Sequence, residues 1–292
     1  MAVLNYQPHP DALAAFLRDV APREASRAAW TETDGPLPTM FLSHGAPPLL
    51  DDTGWMTDLF GWAHTLPQPR AILIVSAHWE DAPLSLSATA AGVTPVYDFG
   101  GFASRYYAMR YDTPDASELA AQVRAVLPRR QELHEHRSRG LDHGAWVPLK
   151  VMYPNARVPV LQMSLPSSDP HQLLALGSRL RPLREQGVLV VGSGFMTHGR
   201  QYLTPQNRSG ETVAGWSSEF DAWARGALAR GAVEELADYR ASAPGMPYAH
   251  PTVEHFTPLF VTLGAASDPE SVVTPTISGY WFGLSKLSFQ AA

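Results

Sequence analysis

The sequence predicts one α/β domain, with a central mostly parallel or mixed sheet flanked by helices. Three observations predict it. Short apolar runs alternate with segments of helical period, as a sheet covered by helices requires. Probable strands lie at 39–43, 71–76, 158–164 and 187–192, and three are rich in Val, Ile or Leu without alternation, the pattern of strands buried on both faces. Several of these runs end on small residues and then a histidine: "TMFLSH", "AILIVSAH" and "VLVVGSGFMTH".

The elements follow in chain order. Residues 10–29 read as an amphipathic helix with Leu13, Phe16, Leu17 and Val20 on one face, and 31–38 as a linker. Residues 1–37 are therefore expected to be a helical extension and linker, and 38–292 the main domain. The 116–127 segment places Leu119, Val123, Val126 and Leu127 on one helical face, and Pro128 stops it. Leu173, Leu176 and Leu180 mark a further helix, and 211–230 another. Thr257 is expected to cap a helix with Pro258 at its first position and Leu259, Phe260 and Leu263 on its buried face.

Composition narrows the chemistry. The 292 residues carry a formal charge of -6, which leaves no basic surplus for nucleic-acid phosphates. There is no cysteine, so disulfides, thiolate metal sites and a cysteine nucleophile are excluded together, and any metal must be held by histidine and carboxylate. No apolar run approaches the roughly 20 residues that span a bilayer, and Asp11, Arg18 and Asp19 interrupt the N-terminal stretch. The expectation is a cytoplasmic protein with no membrane partner; oligomeric state leaves no mark in the sequence.

Histidines mark the candidate site. His44, His78 and His198 follow predicted strands, where ligands bind in open α/β sheets, so a metal site is expected at the strand C-terminal ends. His255 precedes the helix starting at Pro258, and His143 stands at a loop-to-helix junction in "GLDHGAWVPL". A lone histidine at a strand end is more often hydrogen-bonded structure than a ligand, and each candidate comes from a distant segment. His9, His64, His134, His136 and His171 have polar or linker-like surroundings and read as non-functional; His250, on the loop of His255, stays ambiguous. Asp142 either orients a histidine or caps a helix, and it is also a candidate substrate contact. In "VYDFGGFASRYYAMRY", Tyr97, Phe99, Phe102 and Tyr106 form either a pocket wall, with Tyr97 and Phe102 as substrate contacts, or core. "SGYWFGLSKLSF" reads as closing the sheet rather than touching substrate.

The ordered segments "LSHGAPPLL", "VSAHWE", "YDFGGF", "LDHGAWVPLKVMYP", "VGSGFMTHG" and "PTVEHFTPLF" resemble the DODA-type, 4,5-DOPA dioxygenase-like extradiol ring-opening dioxygenases of the class III, LigB-type superfamily. The resemblance covers about residues 38–289 and makes 38–292 the expected catalytic domain. It implies that His44, His78 and His255 bind the metal. It also implies that His198 lies beside the metal as a fourth ligand or acid/base, and that His143 acts on the substrate as a second acid/base or hydrogen-bond donor. Related LigB enzymes use two histidines and a carboxylate, so Glu254 is a decoy beside His255. Many relatives carry Asn after the "GSG" histidine, where this chain has Gly199.

The implied activity is insertion of O2 into a catechol, DOPA-like or related. Three neutral imidazoles on one face leave open metal positions for catecholate and oxygen. Fe(II) is expected for turnover and Zn(II) as a bound metal, since zinc has no redox chemistry. His198 is the expected principal acid/base, a role worth ~10²–10⁴-fold in rate. A zinc-dependent hydrolase on the same scaffold is the alternative, because three histidines and an open position also activate water. A non-catalytic ligand binder is a third reading.

Overall fold

A computed structural model describes residues 11–80 and 83–292. The strands are β1 (Thr39–Ser43), β2 (Ala71–Glu80), β3 (Ser85–Leu86), β4 (His134–Glu135), β5 (Val160–Leu165), β6 (Val188–Gly194), β7 (Pro275–Ile277), β8 (Tyr280–Trp281), β9 (Leu284–Ser285) and β10 (Ser288–Ala291). Seven helices organise the layers: α1 (Ala12–Ala25), α2 (Thr53–Ala63), α3 (Ser117–Val126), α4 (His143–Met152), α5 (Pro170–Leu180), α6 (Gly215–Leu228) and α7 (Pro258–Ala265).

Eight strands form one mixed sheet in the order β4-β3-β5-β2-β6-β1-β10-β7, while β8 and β9 form a separate hairpin. Its centre, β5-β2-β6-β1, is parallel, and β10 closes antiparallel on β1 with Phe41 opposite Phe289. Successive residues of β2 divide between two cores. Leu73 and Val75 pack with residues of α3, α5, α6 and α7, while Ile72 and Ile74 pack with residues of α1, α2 and α4. A strand alternates its side chains between faces, so a run buried in two layers loses its sequence alternation.

Several boundaries differ from the sequence expectation. The first helix ends at Ala25 rather than 29, because the following chain turns extended: Trp30 N–H donates to Gln68 O and Gln68 N–H to Ala28 O, both at 2.8 Å. The expected start of that helix at residue 10, and His9, lie outside the described residues. The 31–38 stretch is an ordered turn with a Thr31/Asp34 capping box, and Leu37 N–H donates to Arg184 O at 3.2 Å. The helix expected over 211–230 begins at Gly215, because Glu211 and Thr212 N–H groups bond back to Gln206 O. Thr257 has helical dihedrals and its hydroxyl makes no cap bond; it points back to Glu254 O at 3.4 Å. Leu127 turns extended ahead of Pro128 and ends α3, as the steric demand of proline requires.

Candidate active site and metal centre

Three elements bring three histidines to one point. His44 extends the β1–β6 ladder by one bond, its N–H donating to Gly194 O at 3.0 Å. His78 lies where β2 loses register with β5: Val75 faces Met163 and Glu80 faces Leu165, so residues 76–79 stand against Ser164 alone. Such a bulge re-aims a side chain at a strand end. His255 sits on the turn before α7, anchored to the end of β6 by Phe195 N–H donating to His255 O at 2.8 Å. Between them, α4 starts at His143 with Gly144 against the site. A Cβ there would come within 2.4 Å of Ser76 Oγ and 3.2 Å of His44 Cε1, so only glycine admits the helix this close.

The ring nitrogens converge. His44 Nε2 lies 3.0 Å from His78 Nε2, which lies 3.3 Å from His255 Nε2. Two nitrogens bound to one metal at about 2.1 Å, with ligand angles of about 90–109°, stand about 3.0–3.4 Å apart. The spacing fits a shared metal. Each Nδ1 has its own partner: Ser193 Oγ for His44 at 2.9 Å, Asp98 Oδ2 for His78 at 3.5 Å, and Glu254 Oε1 for His255 at 2.8 Å. Ser193 spends its hydroxyl proton on Gly144 O, so it accepts from His44; the Glu254 carboxylate accepts from His255, and the Asp98 carboxylate faces His78 at the longer distance. These partners favour the proton on Nδ1 in each ring, the tautomer whose Nε2 lone pair is free for the centre.

Electrostatics agree with a ligand set. Burial, then neighbouring histidines, holds His44, His78 and His255 well below the ordinary histidine range, with Asp98 opposing this at His78. They are neutral imidazoles, the form that binds metal. Glu254, the sequence decoy, supports His255 through Nδ1. Two groups of donor atoms lie within 4.8 Å of one another, one from His44, His78 and His143 and one from His198, Glu254 and His255.

The remaining histidines separate by partner. His143 donates from Nδ1 and from its backbone N–H to Asp98 Oδ1, at 2.9 and 3.1 Å. Burial pushes the Asp98 carboxyl up, but the hydrogen bonds and charges of His143 and His78 outweigh it and hold the group below the usual carboxylate range. His198 lies parallel on the His255 ring, centroids 3.5 Å apart. Burial, followed by repulsion from His250 and Arg200, lowers its pKa to about 3. His250 is a buried structural residue, its Nε2 donating to Met196 O at 2.9 Å. His64 bonds Glu24, and His134 and His171 are exposed, with His171 ion-paired to Glu234 at 3.8 Å; His136 packs against Trp79.

The centre opens into a cavity of about 320 Å³. Phe99 and Phe102 form part of its wall, whereas Tyr97 does not reach it; its hydroxyl donates to Met109 O at 2.6 Å. Tyr106 likewise turns away, donating to Asp51. Asp142 is fully buried behind the site rather than against substrate. It accepts from Gln162 Nε2 and from Ser76 Oγ, and Ser76 Oγ accepts from His78 N–H, so Asp142 braces the bulge. Asp98 is the carboxylate that touches the His143 and His78 rings, as Glu254 touches that of His255.

The C-terminal segment does more than close the sheet. Its β10 pairs with β1, but Trp281, Phe282 and Leu284 line the cavity. Phe282 and Gly283 link β8 to β9 with φ of 49° and 76°, the two positive dihedrals of a type I′ turn. A bulky residue in that region costs about 1–3 kcal/mol, and here it presents an aromatic ring to the cavity. "YWFGLS" carried the hairpin signal, a two-residue loop ending in Gly. Arg200, Leu203 and Arg208 complete that side.

Residues 42–288 match the family described as the catalytic LigB subunit of aromatic ring-opening dioxygenase. A 4,5-DOPA dioxygenase extradiol of Beta vulgaris is 40% identical over 237 residues, covering 79% of this chain and 87% of the relative. A protein of the same description from Escherichia coli K12 is 33% identical over 260 residues, 87% and 94% of the two chains. The crystal structure of an uncharacterized Escherichia coli K12 protein superposes with a TM-score of 0.72 at 29% identity, over 88% of this chain and all of that one. Oxygen chemistry is thereby selected over the hydrolase alternative. The chain belongs to the LigB family, as a DODA-type extradiol aromatic ring-cleavage dioxygenase.

Proposed function

We propose that the enzyme opens the ring of a DOPA-like catechol, with Fe(II) held by His44, His78 and His255. The observation that carries this reading is the convergence of three Nε2 atoms at 3.0 and 3.3 Å, each ring oriented by its own Nδ1 partner. Bound Fe(II) supplies an electron relay between catecholate and O2, which redox-inert Zn(II) does not.

The chain's own groups handle binding and protons. Phe99 and Phe102 flank the ring of the substrate. His143, on the cavity wall, has Nδ1–H fixed by Asp98, so its Nε2 exchanges a proton with a substrate oxygen. A carboxylate behind an imidazole holds the tautomer and stabilises the protonated ring. His198, neutral and stacked on His255 at 3.5 Å, is the acceptor we assign to the first hydroxyl proton, beside the metal rather than among its ligands. The Asp98 contact supports a larger part for His143 in proton transfer than the sequence expectation of His198 as principal acid/base.

Oxygen uptake by protein loaded anaerobically with Fe(II) tests the reading, using DOPA, protocatechuate and caffeate. Stoichiometric uptake with a yellow ring-opened product is expected from at least one catechol. Full iron occupancy with no uptake from any of them would refute it.

A further inference from the structure

The cavity holds two cations that the ring-opening chemistry does not use. Arg200 and Arg208 both line it, and both residues are exposed. Among the described residues, the Arg200 guanidinium makes no hydrogen bond or ion pair. Arg208 spends one Nη2 contact on Arg200 O at 2.7 Å and has no carboxylate partner among the described residues. Some other arginines of the chain are paired with carboxylates, as Arg105 with Asp51, Arg225 with Asp221 and Arg230 with Glu235, whereas these two stand in the cavity without one among the described residues. Asp98 is the one acidic residue on the described cavity wall, and it is committed to His143 and His78. A divalent metal would add to this positive balance.

The segment carrying the two arginines is held in place. Thr204 and Asn207 form a reciprocal cap around Pro205–Arg208, and Asn207 Nδ2 donates to Thr212 Oγ1 at 2.9 Å. Gly199 fits tightly: a Cβ there would fall 1.9 Å from Tyr248 O, so the chain before Arg200 is seated against the 248–249 loop. Across the cavity rim, the Phe282–Gly283 turn packs on the same segment, with a Cβ on Gly283 falling 3.1 Å from Asn207 Cβ. The result is an aromatic interior with two anchored, unmatched guanidinium groups at one wall.

We propose that Arg200 and Arg208 form an anion subsite that binds a carboxylate carried by the aromatic substrate, so that the enzyme selects carboxylated catechols over neutral and cationic ones. The proposal rests on the ring-opening reading above. The guanidinium fork matches a carboxylate with paired donors, and such charge-assisted bonds are the strong ones. A catechol ring against the phenylalanines would leave its substituent free to reach the wall that carries the arginines. A cationic amine without a carboxylate would meet like charge there.

The test compares 3,4-dihydroxyphenylacetate with its methyl ester and its primary amide, which share the ring and linker but carry no charge on the substituent. With the Fe(II)-loaded full-length enzyme, kcat/KM for the acid is expected to exceed that for the ester on the order of 10- to 100-fold, the scale of a charged hydrogen bond. Arg200→Gln is expected to remove most of that preference through KM, with Arg200→Lys restoring part of it. Anaerobic calorimetry on the zinc-loaded protein supplies a second readout: Kd for the acid weakens in R200Q at unchanged metal content. Equal use of acid and ester, or equal losses for both in R200Q, would overturn the subsite while leaving ring opening intact. Failure to use any of the three compounds would overturn the subsite; no uptake from DOPA, protocatechuate or caffeate either would overturn the ring-opening reading with it.

Discussion

Asp98→Asn probes how one carboxylate serves two histidines. Asp98 Oδ1 accepts from the ring and backbone of His143 at 2.9 and 3.1 Å, and Oδ2 stands 3.5 Å from His78 Nδ1. An asparagine of the same shape keeps one oxygen and replaces the other with an amide NH2. If the oxygen stays with His143, which offers two donors, the NH2 faces His78 Nδ1–H, donor against donor. His78 then favours the tautomer with its proton on Nε2, where the metal lone pair is required. Losing an orienting partner of a metal-bound histidine typically costs 10- to 100-fold in affinity. The 3.5 Å separation is at the outer limit of a hydrogen bond, so the low end applies: about 10-fold, or about 1.4 kcal/mol. The shorter contacts to His143 put the larger effect on turnover, on the order of 10²-fold at saturating metal. Competition with a chromophoric chelator gives the affinity, and oxygen uptake gives kcat. Asp98→Asn combined with His143→Ala should cost little more turnover than His143→Ala alone, because the pair acts as a unit. Metal affinity and kcat both within threefold of the parent would refute the reasoning.

Three further outcomes are expected. Gly199→Ala forces a methyl to 1.9 Å from Tyr248 O and 2.9 Å from Trp216 Cη2, and should destabilise by about 1–3 kcal/mol in urea melts; an unchanged midpoint would show that the 248–249 loop yields freely. Phe282→Asn relieves the left-handed strain, about 1–3 kcal/mol, but gives up ring packing on Trp281 at 4.5 Å, so stability should change little while KM for catechols rises severalfold; unchanged KM would remove Phe282 from the substrate wall. The metal-free protein should weaken in acid: burial lowers the pKa of His250 to about 4, below the unfolded value near 6.5. The unfolded chain therefore takes up that proton first, and stability falls from pH 6.5 toward pH 4 by about 3 kcal/mol from this residue alone. Urea midpoints followed across that window check it, and pH-independence would contradict it.

What the sequence revealed of this site depended on how local each signal was. Apolar runs ending in histidine located β1, β2 and β6, because a strand buried on both faces and a histidine beyond its tip are properties of neighbouring residues. The bulge that aims His78 was not legible, since it exists only in the mismatch between β2 and β5. Asp98 stood in view within "YDFGGF" but read as a residue among aromatics; its partner His143 lies 45 positions away and nothing local pairs them. Asp142 drew attention through its neighbour His143, yet folding turns it inward to Ser76 and Gln162. Helix ends were overridden by tertiary pairing, as where Trp30 meets Gln68. Gly199 looks like a departure from the family pattern and turns out to match a backbone carbonyl too close for any side chain.

Metal content per chain in single alanine variants tests the central claim most directly, because His143 lies as near to His44 and His78 as the proposed ligand His255 does. After anaerobic Fe(II) loading and desalting, His44→Ala, His78→Ala and His255→Ala should each retain well under half an equivalent with an unchanged circular-dichroism spectrum. His143→Ala should retain close to one. Full occupancy in His255→Ala together with loss in His143→Ala would contradict the account and move the metal to the other side of the cluster.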